Sequence, residues 1–170
     1  MAIATGAVAW PATAQDRRGG DTDVVERQAF EAALALAGES RAKLPISLTS
    51  VKPDSASAGV QGWTTVGPDG RGERVFIYSA SPLFRCARAS NENYQCLVKL
   101  ASVIVHEAWH FRHDGGEAAA YSAQIGFLIA HHGALEQITD VRRSRNQAVA
   151  AERQAVEAAR RLSGQDGAKH

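Results

Sequence analysis

The sequence predicts an α+β fold in which a small antiparallel sheet of about three strands packs against the helices that follow it in the chain. Three observations support this prediction. Residues 45–79 contain short segments in which apolar and polar residues alternate, as they do in half-buried strands. Residues 95–113 carry apolar residues at helical spacing. Residues 134–162 are rich in Ala, Arg, Glu and Gln, a composition that favours a long C-terminal helix.

The first half of the chain is predicted to contain one helix and three strands. Asp21 or Thr22 can cap a helix that reaches about Ala37, where Gly38 ends the apolar pattern. The alternating segments then predict strands over residues 45–51, 60–66 and 73–79. The Gly- and Pro-rich residues between the last two strands are typical of a hairpin loop.

The helix predicted over residues 95–113 has two distinct sides. At about 100° per residue, its apolar side contains Leu97, Leu100, Ala101, Ile104, Ala108 and Phe111. The opposite side is a polar stripe, made of Lys99, Ser102, His106, His110 and His113. Because the later part of this stripe is almost all imidazole, it is more typical of the floor of a cleft than of an open surface. A second helix is predicted from Glu117 to about His132.

Chain length and the composition of the termini predict the domain organisation. The chain has 170 residues, enough for one domain with a substantial core. Residues 1–20 are predicted to be an export signal and a flexible lead-in, residues 21–163 a single domain, and residues 164–170 a disordered tail. Residues 2–14 are small and apolar and end in an Ala-x-Ala pattern suited to cleavage. No basic residue precedes them, so either translation begins upstream or this segment is an Ala-rich disordered tail.

Charge and hydropathy exclude two classes of partner. The formal net charge is +1, so no basic excess indicates nucleic-acid binding. No stretch approaches the roughly 18 consecutive apolar residues of a membrane-spanning helix. The bias towards Ala, Arg and Gly, together with the N-terminal segment, favours a bacterial protein that is periplasmic or secreted. The oligomeric state does not follow from these observations.

The two cysteines are predicted to form a disulfide. Cys86 and Cys96 lie just before the histidine-bearing helix, and an oxidising compartment would favour their pairing. Closing so short a loop would stabilise the fold by roughly 2–3 kcal/mol in the chain-entropy model. The bond is expected to tie the start of that helix to the preceding strand. Two free thiols are the alternative.

The segment His106-Glu107-Ala108-Trp109-His110 carries the strongest chemical signal in the chain. On a helix, two imidazoles four residues apart leave the same face and can bind one metal ion. Glu107 would then lie about 100° around the helix, beside the metal rather than on it. That position suits a general base for a water molecule that the metal activates. Two polar surface histidines on an amphipathic helix are the alternative interpretation.

A catalytic zinc site usually has three protein ligands and a water, so a third ligand is needed. Glu117 is the first choice. In one straight helix its Cα would lie about 13 Å along the axis from the midpoint of the two histidines, which is beyond the reach of its side chain. The chain must therefore turn back at Asp114-Gly115-Gly116, where glycine permits positive φ.

Four other residues downstream could serve as ligands. His113 lies near the same stripe as the motif histidines and is the main rival of Glu117, although a cation near a helix C-terminus explains it equally well. Asp114 could bind metal or cap the turn. His131 and His132 come just before Gly133 and are more typical of the end of a helix.

His106-Glu107-x-x-His110, followed by Glu117-x-x-Ala120-Tyr121, resembles the zincin metallopeptidases over about 20 residues. The gluzincin branch, whose third ligand is a Glu on a second helix, is the most similar. By that resemblance the two histidines and Glu117 would bind zinc, and Glu107 would be the catalytic base. Tyr121 could donate a hydrogen bond to an oxyanion, with simple packing as the alternative. A metzincin would need a histidine where Gly116 stands.

The resemblance implies a zinc-dependent metallopeptidase that acts on a peptide or protein substrate. In zincins the edge strand of a small sheet binds the substrate, and residues 74–79 are the candidate here, unless that strand is central. The alternative is a non-catalytic zinc-binding or interaction protein with a zincin-like fold. An open fourth coordination position would favour hydrolysis, whereas a site closed by His113 as well as Glu117 would favour a structural role.

Overall fold

A computed structural model of the protein describes residues 20–56, 59–89, 94–113 and 116–165. Residues 1–19 of the predicted export segment and lead-in, the turn residues Asp114 and Gly115, and residues 166–170 of the predicted tail lie outside the described residues. Residue 20 of the predicted lead-in belongs to the first helix, and residues 164 and 165 of the predicted tail belong to the last helix. The described elements are α1 (Gly20–Leu36), β1 (Ile46–Thr49), β2 (Gly62–Val66), β3 (Gly72–Tyr78), α2 (Pro82–Ala89), α3 (Tyr94–Arg112), α4 (Glu117–Ala130) and α5 (Leu135–Gln165). The predicted α+β class and the long C-terminal helix are confirmed.

The three strands form a mixed sheet in the order β1-β3-β2. The predicted hairpin is present, because β2 pairs antiparallel with β3. However, β1 pairs parallel with β3, with Ile46 opposite Val75, so the prediction of a wholly antiparallel sheet is wrong. After β1, a long connection carries the chain to the opposite edge of the sheet, where β2 lies. The hairpin then brings β3 back between β1 and β2, so β3 runs antiparallel to β2 and parallel to β1.

The position of β3 overturns the prediction that residues 74–79 form a substrate-binding edge. This strand is central, so its backbone groups on both sides pair with β1 and β2. Within the described residues, β2 is instead an edge strand. Alternation places Gly62 and Thr64 on one face of β2 and Trp63 on the other, where its ring stacks on Phe76 with centroids 5.4 Å apart.

Helix α3 is the centre of the fold, because it packs against α1, α2, α4 and two strands of the sheet. Its predicted apolar side faces the main core, with Leu100, Ala101, Ile104 and Ala108 buried and Leu97 and Phe111 partly buried. Val75 and Ile77 of β3 and Phe30 and Leu34 of α1 complete this core. A smaller cluster of Val98, Leu128, Ile138 and Val141 joins α3 to α4 and α5.

Helix α2 was not predicted, and it changes the role of the disulfide. Ser81 accepts a hydrogen bond from the Phe84 amide at 3.1 Å, and Pro82 occupies the first helical position. The predicted bond between Cys86 and Cys96 is present, with Cα atoms 5.8 Å apart. It ties α3 to the helix α2 rather than to a strand, because Cys86 lies on α2.

Helix α5 is only partly engaged in packing. Its first turns bury Ile138 and Val141 against α3 and α4, whereas every described side chain from residue 150 to residue 163 is exposed. No helix in the described parts of the chain has the length and apolar character needed to span a membrane.

Candidate metal centre

The two motif histidines lie on the same face near the C-terminal end of α3. Their Nε2 atoms are 3.2 Å apart, and the ring of His106 meets the ring of His110 edge-on, with centroids 4.9 Å apart. His106 is buried and His110 half-buried. The i,i+4 spacing on a regular helix therefore brings two imidazole nitrogens to one point, as predicted.

The carboxylate of Glu117 reaches the same point from the first turn of α4. Its Oε2 lies 3.4 Å from His106 Nε2, and its Oε1 lies 3.4 Å from His110 Nε2. The chain therefore reverses between α3 and α4, as predicted. Gly116 does not use positive φ to do so, because its φ is −71° and its ψ is 171°.

Helix α5 fixes the start of α4, which explains why a glycine precedes Glu117. Gly116 provides no side-chain cap, and the carboxylate of Glu152 on α5 accepts a hydrogen bond from the Ala118 amide at 3.2 Å instead. A Cβ at Gly116 would overlap the Oε1 of Glu152. The small residue thus leaves room for a cap supplied by another helix.

The spacing of the three side chains suits a tetrahedral metal ion. Zinc binds imidazole nitrogen and carboxylate oxygen at about 2.0–2.2 Å, so tetrahedral ligand atoms lie about 3.3–3.6 Å from one another. The two Nε2 atoms are 3.2 Å apart, and each lies 3.4 Å from a different oxygen of the Glu117 carboxylate. With one ligand atom taken from each residue, all three atoms lie within 4.8 Å of one another, a spacing at which the side chains can share one ion. Two imidazoles and one carboxylate also form a donor set that zinc prefers. These residues therefore fit a zinc ion.

Even without a metal, the two histidines and Glu117 alter one another's pKa values. Hydrogen bonds from His106 and His110 hold the pKa of the Glu117 carboxyl far below its ordinary value. In return, the hydrogen bond with Glu117 raises the pKa of His110, although partial burial opposes this effect. A divalent cation would replace the proton that the metal-free cluster shares.

Glu107 lies beside the cluster and is buried between α3 and the sheet. Thr64 of β2 lies within hydrogen-bonding distance of it, and its hydroxyl can donate to Glu107 Oε2 at 2.9 Å or to the Glu107 carbonyl at 3.1 Å. Burial raises the pKa of Glu107, while the nearby imidazoles and the Thr64 hydrogen bond act in the opposite direction. Glu107 therefore places a carboxylate beside the possible metal position, where it could accept a proton from a metal-bound water.

Glycine at position 62 allows Glu107 to lie this close to the sheet. A Cβ there would come 2.9 Å from the Phe76 carbonyl oxygen and 3.2 Å from Glu107 Cγ. Neither Gly62 nor Thr64 was predicted as a site residue. The strand alternation places both on the face of β2 opposite Trp63, but nothing local in the sequence shows that this face lies against Glu107.

Tyr121, the predicted oxyanion donor, lies one turn after Glu117 on α4. Its ring lies against the ring of His106, with centroids 4.5 Å apart. Burial raises the pKa of its phenol, and a hydrogen bond with Ser144 of α5 acts against that rise. Within the described residues the buried Nδ1 of His106 makes no hydrogen bond, so packing against Tyr121, rather than an outer hydrogen bond, orients this imidazole.

The remaining histidines considered as ligands lie away from the cluster. His113 stacks on Trp109, with ring centroids 4.0 Å apart, and its Nδ1 lies 3.1 Å from the Trp109 carbonyl oxygen. His131 stacks on Phe127, and His132, two residues after the end of α4, has a positive φ of 52°. Among the described residues, the only group of His, Cys, Asp and Glu side chains arranged to share a metal is His106, His110 and Glu117. Asp114 lies outside the described residues.

A cleft of about 690 Å³ opens beside the cluster. Its walls come from the start of β2, from α3, from α4 and from α5, and they include His106, Glu107, Glu117 and Tyr121. Lys99 of the predicted polar stripe also lines the cleft, whereas Ser102 of that stripe is buried beside Gln124. Of the five stripe residues, Lys99 and His106 line the cleft, whereas His110 and His113 do not, so the prediction that the imidazole-rich part forms a cleft floor holds only for His106.

Comparison with known proteins found no matching family model, no similar curated protein and no similar solved structure.

Proposed function

We propose that this chain is a zinc-dependent metallopeptidase that hydrolyses peptide bonds. The observation that carries the proposal is the convergence of His106, His110 and Glu117, at the spacing of zinc ligands, beside the buried carboxylate of Glu107 and an open cleft. Metal ligands, a general base and room for a substrate are the three parts that water-based peptide hydrolysis requires.

In the proposed reaction, the chain positions a water molecule and moves its proton. Zinc held by His106, His110 and Glu117 would acidify the water and polarise the peptide carbonyl. Glu107 accepts the proton as the water attacks and then delivers it to the leaving amine. The Thr64 hydroxyl holds the carboxylate of Glu107 at 2.9 Å during this exchange. Tyr121 is the proposed hydrogen-bond donor to the carbonyl oxygen as negative charge develops on it.

The edge strand β2 is the proposed binding surface for the substrate backbone. It carries Thr64, which contacts the base, and its first residue Gly62 lines the cleft together with residues 59–61, which lead into the strand. A peptide that pairs with the free side of β2 would pass beside Glu107 and gain main-chain hydrogen bonds with little dependence on sequence. The substrate strand is thus β2 and not the central β3.

Catalysis is favoured over a purely structural zinc site by what surrounds the three ligands. A structural zinc is usually closed by four protein ligands. His113, the residue that could have closed this site, instead stacks on Trp109, and no fourth candidate ligand joins the group among the described residues. The fourth position would therefore be left to water or substrate on the side of the cleft.

Export to an oxidising compartment is part of the proposal. The disulfide between Cys86 and Cys96 supports it, since such bonds persist mainly outside the reducing cytosol. The apolar segment before residue 15, which lies outside the described residues, supports it from the sequence.

The test compares Glu107→Gln with His106→Ala. Wild-type protein is loaded with zinc and incubated with casein, and the fragments are identified by mass spectrometry. Glu107→Gln is expected to keep the zinc and to lose at least about a hundredfold in turnover, because the amide cannot accept a proton. His106→Ala is expected to lose the metal and the activity together. Glu157→Gln, an exposed change on α5, serves as the matched control.

Two results would contradict the proposal. One is a Glu107→Gln variant that cleaves casein as fast as wild type, which would remove the assigned base. The other is a fully zinc-loaded wild-type protein that cleaves no peptide bond in casein or in a mixture of unfolded peptides. The second result would favour the structural zinc-binding alternative.

A further inference from the structure

The cleft beside the metal centre contains a lysine that forms no ion pair with any residue in the described parts of the chain. Lys99 lies on α3, seven residues or about 10 Å along the helix axis before His106, and it lines the same cleft. Asp140 is the acidic side chain whose charge raises the pKa of Lys99, but it is exposed and forms its ion pair with Arg143, at 3.1 Å.

The surroundings of Lys99 make an unpaired ammonium costly. The residue is half-buried, and this burial lowers the pKa of its ammonium, an effect that Asp140 only partly offsets. The apolar residues Val103 and Val141 form part of the same cleft wall. An anion that enters the cleft would replace the lost hydration of the ammonium and would gain a charge-assisted hydrogen bond in a partly dry site.

We propose that Lys99 binds a carboxylate of the substrate and so sets its specificity; this inference rests on the proposed peptidase function. An extended peptide advances about 3.3 Å per residue, so a carboxylate held near Lys99 would lie about three residues from a bond placed at the metal centre. Lys99 supplies a single point charge and selects a carboxylate by charge rather than by a bidentate fit.

Two sources of carboxylate share this chemistry. One is the free C-terminus of a short peptide, and the other is the side chain of an internal Asp or Glu. The experiment separates them with two peptide pairs built on a parent sequence that the protein cleaves. The first pair differs only in a free or an amidated C-terminus. The second pair has amidated ends and differs only in an internal Glu or Gln.

The variants are Lys99→Met and Lys99→Arg, with Lys43→Met as a matched control, because Lys43 is exposed and does not line the cleft. Methionine has nearly the same length as lysine and removes a partly desolvated charge, so the fold should be kept. Circular dichroism and zinc content establish that each protein is folded and loaded. Lys99→Arg keeps the charge and serves as the conservative rescue.

The zinc-loaded wild type is expected to prefer the carboxylate member of one pair by about tenfold or more in kcat/KM. Lys99→Met should bring that ratio close to one, whereas Lys43→Met and Lys99→Arg should retain it. Asp140→Asn should increase it, because a competing negative charge is removed from the cleft. The pair that shows the preference identifies the source of the carboxylate. Equal cleavage of both members by wild type, or an unchanged ratio in Lys99→Met, would overturn the inference.

Failure of the peptidase proposal can be told apart from failure of this inference. If no peptide is cleaved, the affinity of the same peptide pairs for the zinc-loaded protein is measured by calorimetry. Binding of the carboxylate member that weakens about tenfold in Lys99→Met would support the anchor on its own. Equal binding to wild type and Lys99→Met would overturn it, because the carboxylate would then bind elsewhere, for example at the metal.

Discussion

Glu152 is predicted to hold the proposed zinc ligand Glu117 in place, although it does not touch the metal position. Its carboxylate accepts the Ala118 amide hydrogen bond and places a negative charge at the N-terminus of α4. Glu152→Ala removes a capping interaction that is typically worth about 1 kcal/mol and a helix-dipole contribution of about 0.3–1 kcal/mol. The first turn of α4, which carries Glu117, is thus expected to lose about 1–2 kcal/mol.

The lower stability of this turn is expected to weaken zinc binding, because Glu117 can bind the metal only when the turn is helical. A destabilisation of about 1–2 kcal/mol corresponds to a factor of about 5–30 in the population of the ordered turn. Competition with a chelator of known affinity should therefore show zinc binding up to that much weaker in Glu152→Ala. Glu157→Ala, an exposed change further along the same helix, is the matched control and should bind as wild type does.

A second substitution distinguishes capping from a general effect on α5. A side chain at Gly116 would overlap Glu152, so Gly116→Ser alone should disturb the start of α4. In the Glu152→Ala background that space is free, and serine is a good N-cap, so the double variant should regain much of the lost affinity. Unchanged zinc affinity in Glu152→Ala, or no recovery in the double variant, would refute the capping explanation.

Three further predictions concern the disulfide, the tyrosine and pH. Replacing Cys86 and Cys96 by Ser should lower the free energy of unfolding by roughly 2–3 kcal/mol in urea titrations, and an unchanged value would mean that the bond adds no stability. Tyr121→Phe should keep zinc but lower kcat by about tenfold or more, whereas equal kcat would leave Tyr121 with a packing role only. In the metal-free protein, the lowered pKa of Glu117 stabilises the fold at pH values above 4.5, the ordinary pKa of this carboxyl, and this stabilisation is lost as pH falls through the lowered pKa. The raised pKa of His110 stabilises the fold fully below pH 6.5, the ordinary pKa of the imidazole, and this stabilisation is lost as pH rises through the raised pKa. Metal-free wild type should thus melt at a higher temperature at about pH 6 than at about pH 9. The raised pKa of Glu107 acts in the same direction, so the His110 assignment would be contradicted by a difference in His110→Gln as large as in wild type.

Periodicity predicted most of the elements because the core is strongly patterned. The buried side of α3 contains Leu100, Ile104 and Ala108, at the spacing that the sequence shows. The hairpin of β2 and β3 was equally visible, since alternation on both sides of a Gly-rich loop is a local signal. Their ends differ from prediction by only a few residues, as helix and strand ends commonly do.

The direction of β1 and the existence of α2 were not predicted, for different reasons. Strand pairing depends on how a connection crosses the sheet, and alternation within Ile46–Thr49 is the same for parallel and antiparallel neighbours. Helix α2 has only 8 residues, too few for a clear period. Its start did carry a readable signal, because Ser81 followed by Pro82 is a favoured pair at a helix N-terminus.

Some residues of the candidate site could likewise be predicted from the sequence, and others could not. The histidine pair and Glu107 could be predicted because helix geometry relates neighbours in sequence. Glu117 could be predicted because the glycines before it indicate a turn that brings the next helix back towards the histidines. Thr64 and Glu152 could not, since Thr64 is 43 residues from Glu107 and Glu152 is 34 residues from Ala118. Such contacts depend on how separate elements pack together, which a single sequence does not reveal.

The central claim is that Glu117, and not His113, completes a zinc site with the two motif histidines. The most direct measurement is elemental analysis of purified wild type, Glu117→Ala and His113→Ala after zinc loading and dialysis. One zinc per chain is predicted for wild type and for His113→Ala, with a large loss in Glu117→Ala. Zinc that stays in Glu117→Ala but leaves His113→Ala, or a wild-type protein that holds none, would contradict the claim.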